Sequence, residues 1–508
     1  MRDSCQNPTK VICALLGALV GMLFSNPVLA LQPSELLLVW NSASTESSQI
    51  RDAYIAAYPE VMEFDLNDPT LVVDRLSYAE FDTKVREPLA AYIDTNFVTL
   101  VDGLRHVTGL RAMATTRGLP GEISGTDEFT GGFVSTFASF ESELSLVMYD
   151  LRPTGTEPDK DIGPIRNPWY TETGIDFSST TLVVVNSLAA ISSPSNKLAQ
   201  QFVPLANTSH RHAVFPVCRL DGPQLNGVSG VENAIAMIER TSQPITVPVC
   251  GVRALFDELP TSTGADLDFN GDPPVYPAID DFDSTVNYLD QLLLAGASSS
   301  METFLDSTLD FIDGQDAVAQ ETPLIAYGSF GENHDINGSN GEDPPGVGVY
   351  LRSFDNFHPA AVFLSYESFN GNSVVAGGIR GGQQQALDFI GLGGSFTIAH
   401  VREPTTIFVA KFRWLLENFY EHNLTFAEAA FASIPGVSWQ STPVGNPLAR
   451  LDLVPFGNAD VNGDGVANVE DIYHFTASPV DFDCSGSANI FDRAALEAFL
   501  RSNEIEDA

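Results

Sequence analysis

In the stretch Asp460–Asp471, DVNGDGVANVED, acidic and amide side chains recur at every second position and return at the end. Counting Asp460 as position 1, oxygen donors fall at positions 1 (Asp460), 3 (Asn462), 5 (Asp464), 9 (Asn468) and 12 (Asp471). Gly465 stands at position 6, where a calcium loop turns sharply, and Val466 at position 7 can offer its backbone carbonyl. A hard cation takes about six to eight oxygens, and this order wraps them round one ion. Six matched positions, glycine included, favour a Ca²⁺ loop over a solvated Asx-rich turn.

A second copy, DFDCSGSANIFD, starts 21 residues later. It offers Asp481, Asp483, Ser485, Asn489 and Asp492 at positions 1, 3, 5, 9 and 12, with Gly486 at 6 and the Ser487 carbonyl at 7. Ser485 is a neutral ligand, so this site should be the weaker one. Each loop leads into a short helical pattern, with Ile472 and Phe475 after the first and Leu496, Phe499 and Leu500 after the second. This duplicated loop–helix unit, with Asp at position 12, resembles a type I dockerin over about residues 457–504. The resemblance implies a small all-α, EF-hand-like module that folds around Ca²⁺ and docks a cohesin-like partner. Cellulosomal dockerins carry a hydroxyl residue at positions 10 and 11 for that docking, whereas this chain has Val469-Glu470 and Ile490-Phe491. The departure bears on the partner and not on the ion. A module of about 50 residues buries little core, so the metal should supply much of its folding energy.

Other residues could do covalent chemistry. His334 stands in a Gly-rich loop after the apolar run PLIAYGSF, and the next apolar run, AAVFLSYESF, leads into Glu367-Ser368. A Ser368–His334 pair would be a nucleophile with its base, and a Glu367–His334 pair would hold an imidazolium. No GxSxG elbow surrounds Ser368. His400 and Glu403 stand near another strand end, and Asp221 and Asp257 also follow strands, where α/β proteins place their sites. Loop or helix capping is the bland alternative for each. DLDFNGD (266–272) imitates half a calcium loop, but prolines occupy its ninth and twelfth positions.

The elements that would position these groups read as follows. Residues 1–30 form a leader: Arg2 and Lys10 supply its positive end, VICALLGALVGMLF its apolar core, and Val28 and Ala30 the small-residue cleavage site. Fourteen apolar residues fall short of the roughly 20 that a span needs, so cleavage after Ala30 is expected. The body, 31–451, alternates continuous apolar runs with amphipathic patterns. LLLVWN, LRAMATT, TTLVVVN, AVFPVCRL, ITVPVCGV, PLIAYGSF, AAVFLSYESF and SFTIAHV read as strands. SSQIRDAYIAAY, FDTKVREPLAAYI, VENAIAMIER, STVNYLDQLLLAG, GGQQQALDFIGLGG and TIFVAKFRWLLENFYEHN read as helices. Such alternation predicts an α/β three-layer sandwich on a largely parallel sheet. The calcium module, 452–508, follows.

Local phrases along the body, among them LLLVWNSAS, TTRGLP, NPWY, YGSFGENHD, SYESFNG, HVREP and TFAEAAFASIPGVSWQ, resemble an uncharacterised family of exported bacterial proteins from species with exosortase-type sorting. The match spans about residues 36–451. It implies an α/β body distantly like the gingipain and caspase-like peptidases and names no activity. Such peptidases place a His after one strand and a Cys after the next; here no Cys follows the second strand.

Composition sets the setting. Against 25 basic residues stand 66 acidic ones, for a net charge of −41, and only five lysines occur. That surface repels nucleic acid and anionic membranes and suits a saline or calcium-rich exterior. Leader removal would take Cys5 and Cys13 and leave Cys218, Cys250 and Cys484, an odd number that implies no disulfide framework; Cys218 and Cys250 read as buried thiols, a bridge between them being the alternative. Two functions fit the sequence. One is a secreted calcium-binding modular protein, displayed or assembled at the cell exterior, whose body has no stated activity. The other is a secreted hydrolase, peptidase-like or engaged in polysaccharide breakdown.

Overall fold

The computed structural model describes residues 30–125, 137–149, 164–170, 180–184, 209–258, 281–292, 301–306, 312–330, 350–371, 374, 385–404, 408–454, 457, 461–462, 466–480, 482, 488 and 490–503. The leader core and DLDFNGD lie outside them. The protein is mixed α/β, built on a ten-stranded sheet. Its strands in chain order are β1 (Leu36–Trp40), β2 (Met62–Asp65), β3 (Ala112–Thr116), β4 (Val217–Leu220), β5 (Arg253–Glu258), β6 (Glu302–Asp306), β7 (Leu324–Phe330), β8 (Phe357–Ser365), β9 (Phe396–His400) and β10 (Ser441–Val444).

The spatial order is β6-β5-β7-β8-β9-β10-β4-β3-β1-β2. Every neighbouring pair is parallel except β9 and β10. The sheet is therefore two parallel halves running in opposite directions and joined at that pair. Each half is wound alike: its first strand lies inside its second, and the third and fourth follow on the other flank. Carboxyl ends of the two halves thus lie at opposite edges of the sheet.

Helices cover both faces. Phe363 of β8 meets Phe389 on one side, while Phe396 of β9 meets Phe419 and Phe426 on the other. β8 and β9 carry apolar side chains towards both layers, which is why they read as unbroken apolar runs. Helix α1 (Thr45–Ala57) starts at Ser44, whose side chain caps the Ser47 N–H, and α2 (Gly230–Thr241) starts with a capping box between Ser229 and Glu232.

Two expected strands are strands but pair elsewhere. Residues 181–184 join a four-stranded side sheet, and Ile245–Pro248 pairs with Leu451–Val454. The expectation of two buried thiols needs correction at Cys250. Cys218 is free and buried, whereas Cys250 sits exposed in a single 3₁₀ turn after its strand and is disulfide-bonded. Beyond the body, helices α3 (Val469–Ala477) and α4 (Ile490–Asn503) pack Phe475, Phe482, Leu496 and Leu500 into a small separate cluster. No helix among the described residues is long and apolar enough to cross a membrane.

Candidate functional site

After β8 the chain turns over the end of β9 through Tyr366–Gly371. Hydrogen bonds dictate the turn. Ser365 Oγ accepts the Glu367 N–H at 3.1 Å, and Asn370 Nδ2 donates to the Ser365 carbonyl at 3.1 Å. The Phe369 N–H reaches the Arg402 carbonyl, and the Gly371 N–H the His400 carbonyl, both at 2.9 Å. Phe369 adopts φ +59°, and Ser438, on the approach to β10, φ +53°. Side-chain-bearing residues hold the left-handed region only where the surroundings over-determine it, and such positions cluster at functional sites. Gly371 is required by packing, since a Cβ there would lie 2.9 Å from the Ala399 Cβ and 3.0 Å from His400 backbone atoms.

His400, the last residue of β9, is fully buried under this turn. Its N–H donates to Asn370 Oδ1 at 2.6 Å, and its ring Nδ1 lies 3.2 Å from the Glu367 main-chain oxygen. A carbonyl can only accept, so Nδ1 carries the proton and Nε2 presents a lone pair. Burial pushes the imidazole down to about 4, outweighing the bond to Glu367, so the ring is neutral at pH 7. Nε2 is buried with no hydrogen-bond partner among the described residues. The same holds for Oγ of Ser441, its register partner at the start of β10.

On the same edge, the Tyr366 hydroxyl donates to Asp281, which also accepts the Phe412 N–H at 2.6 Å. The Lys411 ammonium lies 5.4 Å from the Tyr366 ring centre. All three side chains are buried. Burial raises the Asp281 carboxyl, against the pull of Lys411 and the donors of Tyr366, Phe412 and Arg413. Asp281 and Lys411 escape sequence reasoning because nothing in their spacing separates them from exposed neighbours; only the fold buries them.

The expected catalytic set is brought together in part. Glu367 and Ser368 follow β8 as anticipated, and both are buried. It is the main chain of Glu367 that touches His400. Ser368 makes no side-chain hydrogen bond among the described residues and is 6% exposed. His334 lies outside the described residues. Glu403 is exposed. Asp221 and Asp257 are both buried and tied into the fold by hydrogen bonds. Asp221 receives Arg219 Nε at 2.9 Å, Arg117 Nη1 at 3.0 Å and the Gly222 N–H at 2.8 Å, and Asp257 accepts the Ile312 N–H at 2.7 Å.

Of the calcium ligands expected from sequence, Asn462, Val466, Asn468, Asp471 and Asp492 are described, while Asp460, Asp464, Asp481, Asp483, Ser485, Ser487 and Asn489 lie outside. Asp471 is fully buried. Its Oδ1 accepts the Asn462 N–H at 3.0 Å and its Oδ2 the Asn468 N–H at 2.7 Å. Asn468 caps α3 through the Glu470 N–H at 2.7 Å and donates to the Val466 carbonyl at 3.0 Å. The main chain of positions 3 and 9 of the first loop therefore meets the position-12 carboxylate, and the position-9 amide meets the position-7 carbonyl. Burial pushes the Asp471 carboxyl up, but the N–H donors of Asn468, Asn462 and Val461 overcome it and hold the group below its ordinary value. Asp492 is buried at the start of α4. Elsewhere, ligand atoms of Glu417, Glu421 and His422 lie within 4.8 Å of one another. The Arg413 guanidinium, 3.6 Å from Glu417, already neutralises part of that group.

Comparison with protein-family models, curated proteins and solved structures finds no match to this chain.

Proposed function

We propose that this is an exported, calcium-dependent modular protein, with an α/β body held or assembled at the cell exterior through a dockerin-like tail. The observation that carries this reading is Asp471. A fully buried carboxylate ties the first loop to the backbone of Asn462 and Asn468, which supports reading it as the anionic donor at the loop's twelfth position. Asp460, Asn462, Asp464, the Val466 carbonyl, Asn468 and Asp471 would hold the first ion. Asp481, Asp483, Ser485, the Ser487 carbonyl, Asn489 and Asp492 would hold the second. Bound there, Ca²⁺ would supply the charge that the acidic loops lack and hold them against α3 and α4, and the docking partner would be cohesin-like in kind. Calcium titration of the full mature chain by calorimetry tests the reading. Two sites of unequal affinity are expected; heat indistinguishable from buffer dilution would sink it.

A second reading, a secreted hydrolase, draws support from the edge that carries His400. The parallel order β6-β5-β7-β8-β9, with antiparallel β10 beside it, suits the distant likeness to caspase-like peptidases. Ser368 and Glu367 follow the strand next to the one that leads to His334. In this reading Ser368 attacks a carbonyl, His334 takes its proton, and Glu367 steadies the imidazolium. A screen with peptide and glycan substrates decides it. Activity lost in Ser368→Ala and His334→Ala variants that remain folded would support hydrolysis, and activity retained in both would remove it.

A further inference from the structure

Leu31, the expected first residue of the mature chain, is buried, and its main-chain nitrogen lies 3.4 Å from Glu428 Oε2. Glu428 is itself 2% exposed and belongs to the first turn of the helix Phe426–Ser433. Its Oε2 also accepts the Thr425 N–H at 2.9 Å and the Thr425 hydroxyl at 2.7 Å. Its other oxygen, Oε1, is buried and has no hydrogen-bond partner among the described residues. One carboxylate oxygen is thus crowded with donors while the other has none. A buried carboxylate left half-satisfied is costly, and a single peptide N–H cannot serve both oxygens. A primary ammonium brings three donors and a full charge.

We infer that Glu428 is the centre of an intramolecular binding site for the α-ammonium that leader removal creates on Leu31. The inference rests on the export reading, which puts the cut between Ala30 and Leu31. Hydrolysis adds one water across that peptide bond. The new carboxylate leaves with Ala30, and the amine on Leu31 takes up a proton from solvent.

The local structure is already set for the ammonium. The Leu31 side chain belongs to the main core. The Gln32 N–H donates to the Glu35 carboxylate at 3.0 Å, the Arg111 N–H to the Glu35 carbonyl at 2.9 Å, and Arg111 Nε to the Glu35 carboxylate at 2.8 Å. The segment that carries the new amine is therefore pinned on both sides of the turn. Glu35 is the other carboxylate whose field reaches Glu428, and Arg111 balances it. In the uncut chain, burial holds the Glu428 carboxyl above its ordinary value, against the donors of Thr425 and Leu31. Ala30 is 2% exposed, so the folded precursor hides the scissile bond and the cut has to precede final packing.

Four proteins test the site. One begins at Leu31, released from a fusion cut immediately before it, and one keeps Ala30 in front; each is made with Glu428 and with Glu428→Gln. The substitution should lower the melting temperature of the Leu31 form by roughly 5 °C more than that of the extended form, because it removes one partner of a buried ion pair in the first only. Reductive methylation at pH 7 should modify the Leu31 amine about 10-fold more slowly in the wild-type protein than that of an exposed terminus. Equal melting shifts in both forms, or an amine that reacts at the exposed rate, would overturn the inference. If the Leu31 form of Glu428→Gln does not fold, N-acetylation of the wild-type Leu31 form removes the charge and leaves Glu428 in place. It should lower the melting temperature, and no change would count against the site. N-terminal sequencing of exported protein tests the cut separately: a terminus other than Leu31 would refute the export reading at that bond, while the four-protein comparison still decides whether the pocket binds an ammonium.

Discussion

His400 and Ser441 face each other across the one antiparallel junction of the large sheet, and each buries a polar atom, Nε2 and Oγ, without a hydrogen-bond partner among the described residues. The junction is where the two parallel halves meet, so the mismatch in strand direction and the mismatch in polar satisfaction coincide. Burial disfavours the charged form of His400, so the imidazole is neutral at pH 7.

A pH dependence follows. The His400 ring titrates near 4 in the folded protein, against an ordinary value of 6.5. Between those values the unfolded chain binds the extra proton, so stability rises with pH across that window. The contribution is fully present above about pH 6.5 and lost as pH falls towards 4, on the order of 3 kcal/mol in all. Urea unfolding of wild type and His400→Gln, repeated from pH 4 to 7, should show a steeper fall for wild type. Parallel curves would show that the ring does not titrate this way.

Arg219 carries the second prediction. It is 1% exposed and spans Glu141 at 2.9 Å, Asp221 at 2.9 Å and the carbonyls of Pro120 and Leu119 at 3.0 and 2.7 Å. Burial opposes its charge, but the two carboxylates hold it protonated. Glu141 in turn receives the hydroxyls of Thr115 and Thr442, tying β3, β4 and β10 together. Arg219→Ala strands two buried acids and should cost about 3–5 kcal/mol. Arg219→Lys should recover little, because an ammonium cannot span the same fork of acceptors. Chemical denaturation measures both, and a loss below about 1 kcal/mol for the alanine variant would contradict the network's role.

Much of this architecture is legible in the sequence, for a physical reason. β1, β3, β7, β8 and β9 lie between two helical layers and read as continuous apolar runs. β10 is equally buried, yet STPV carries no apolar signature: the Thr442 hydroxyl meets Glu141, and the Ser441 main-chain carbonyl accepts the Ser139 hydroxyl. Edge strands β2 and β6 are half-exposed and short, so MEFD and ETFLD look like loops. The run TIFVAKFRWLLENFYEHN reads as one helix, whereas residues 409–411 are not helical, an α-helix spans Phe412–Leu416, and it widens into a π turn at Glu417–Glu421. Glu367 and Ser368 stand out because they follow an apolar run. His400 carries only the weaker signal of a polar residue ending one, and its tautomer depends on a main-chain contact that no spacing rule reports.

On the proposed calcium binding, the two loops should differ. Each offers three carboxylates, the first at positions 1, 5 and 12 and the second at 1, 3 and 12; they differ in the neutral donor, the amide oxygen of Asn462 in the first and the weaker hydroxyl of Ser485 in the second. Asp460→Ala should therefore weaken calcium binding more than Asp481→Ala. With free calcium about 100-fold above the Kd, the first site would stabilise its module by about 2.7 kcal/mol. Melting curves of the full chain with calcium and with chelator should separate by that order in a transition involving α3 and α4. Equal effects of the two substitutions would remove the proposed asymmetry.

The last prediction concerns the cysteines. Cys250 is bridged and exposed, and Cys218, buried in β4, is free. Burial pushes the Cys218 thiol well up, so it should resist alkylation until the protein unfolds. If the leader removes Cys5 and Cys13, elimination leaves Cys484, which lies outside the described residues, to pair with Cys250. Neighbouring contacts favour this pairing. Pro248 pairs with Val454 just before Cys250, and the Gly457 N–H bonds the Phe482 carbonyl at 2.7 Å two residues before Cys484. Such a bridge would staple the C-terminal helical pair to the body. A non-reducing peptide map of the exported protein should yield one linked peptide containing Cys250 and Cys484, and one thiol, Cys218, that labels only in denaturant. A map that links Cys218, or that finds Cys484 free, would show the pairing to be wrong.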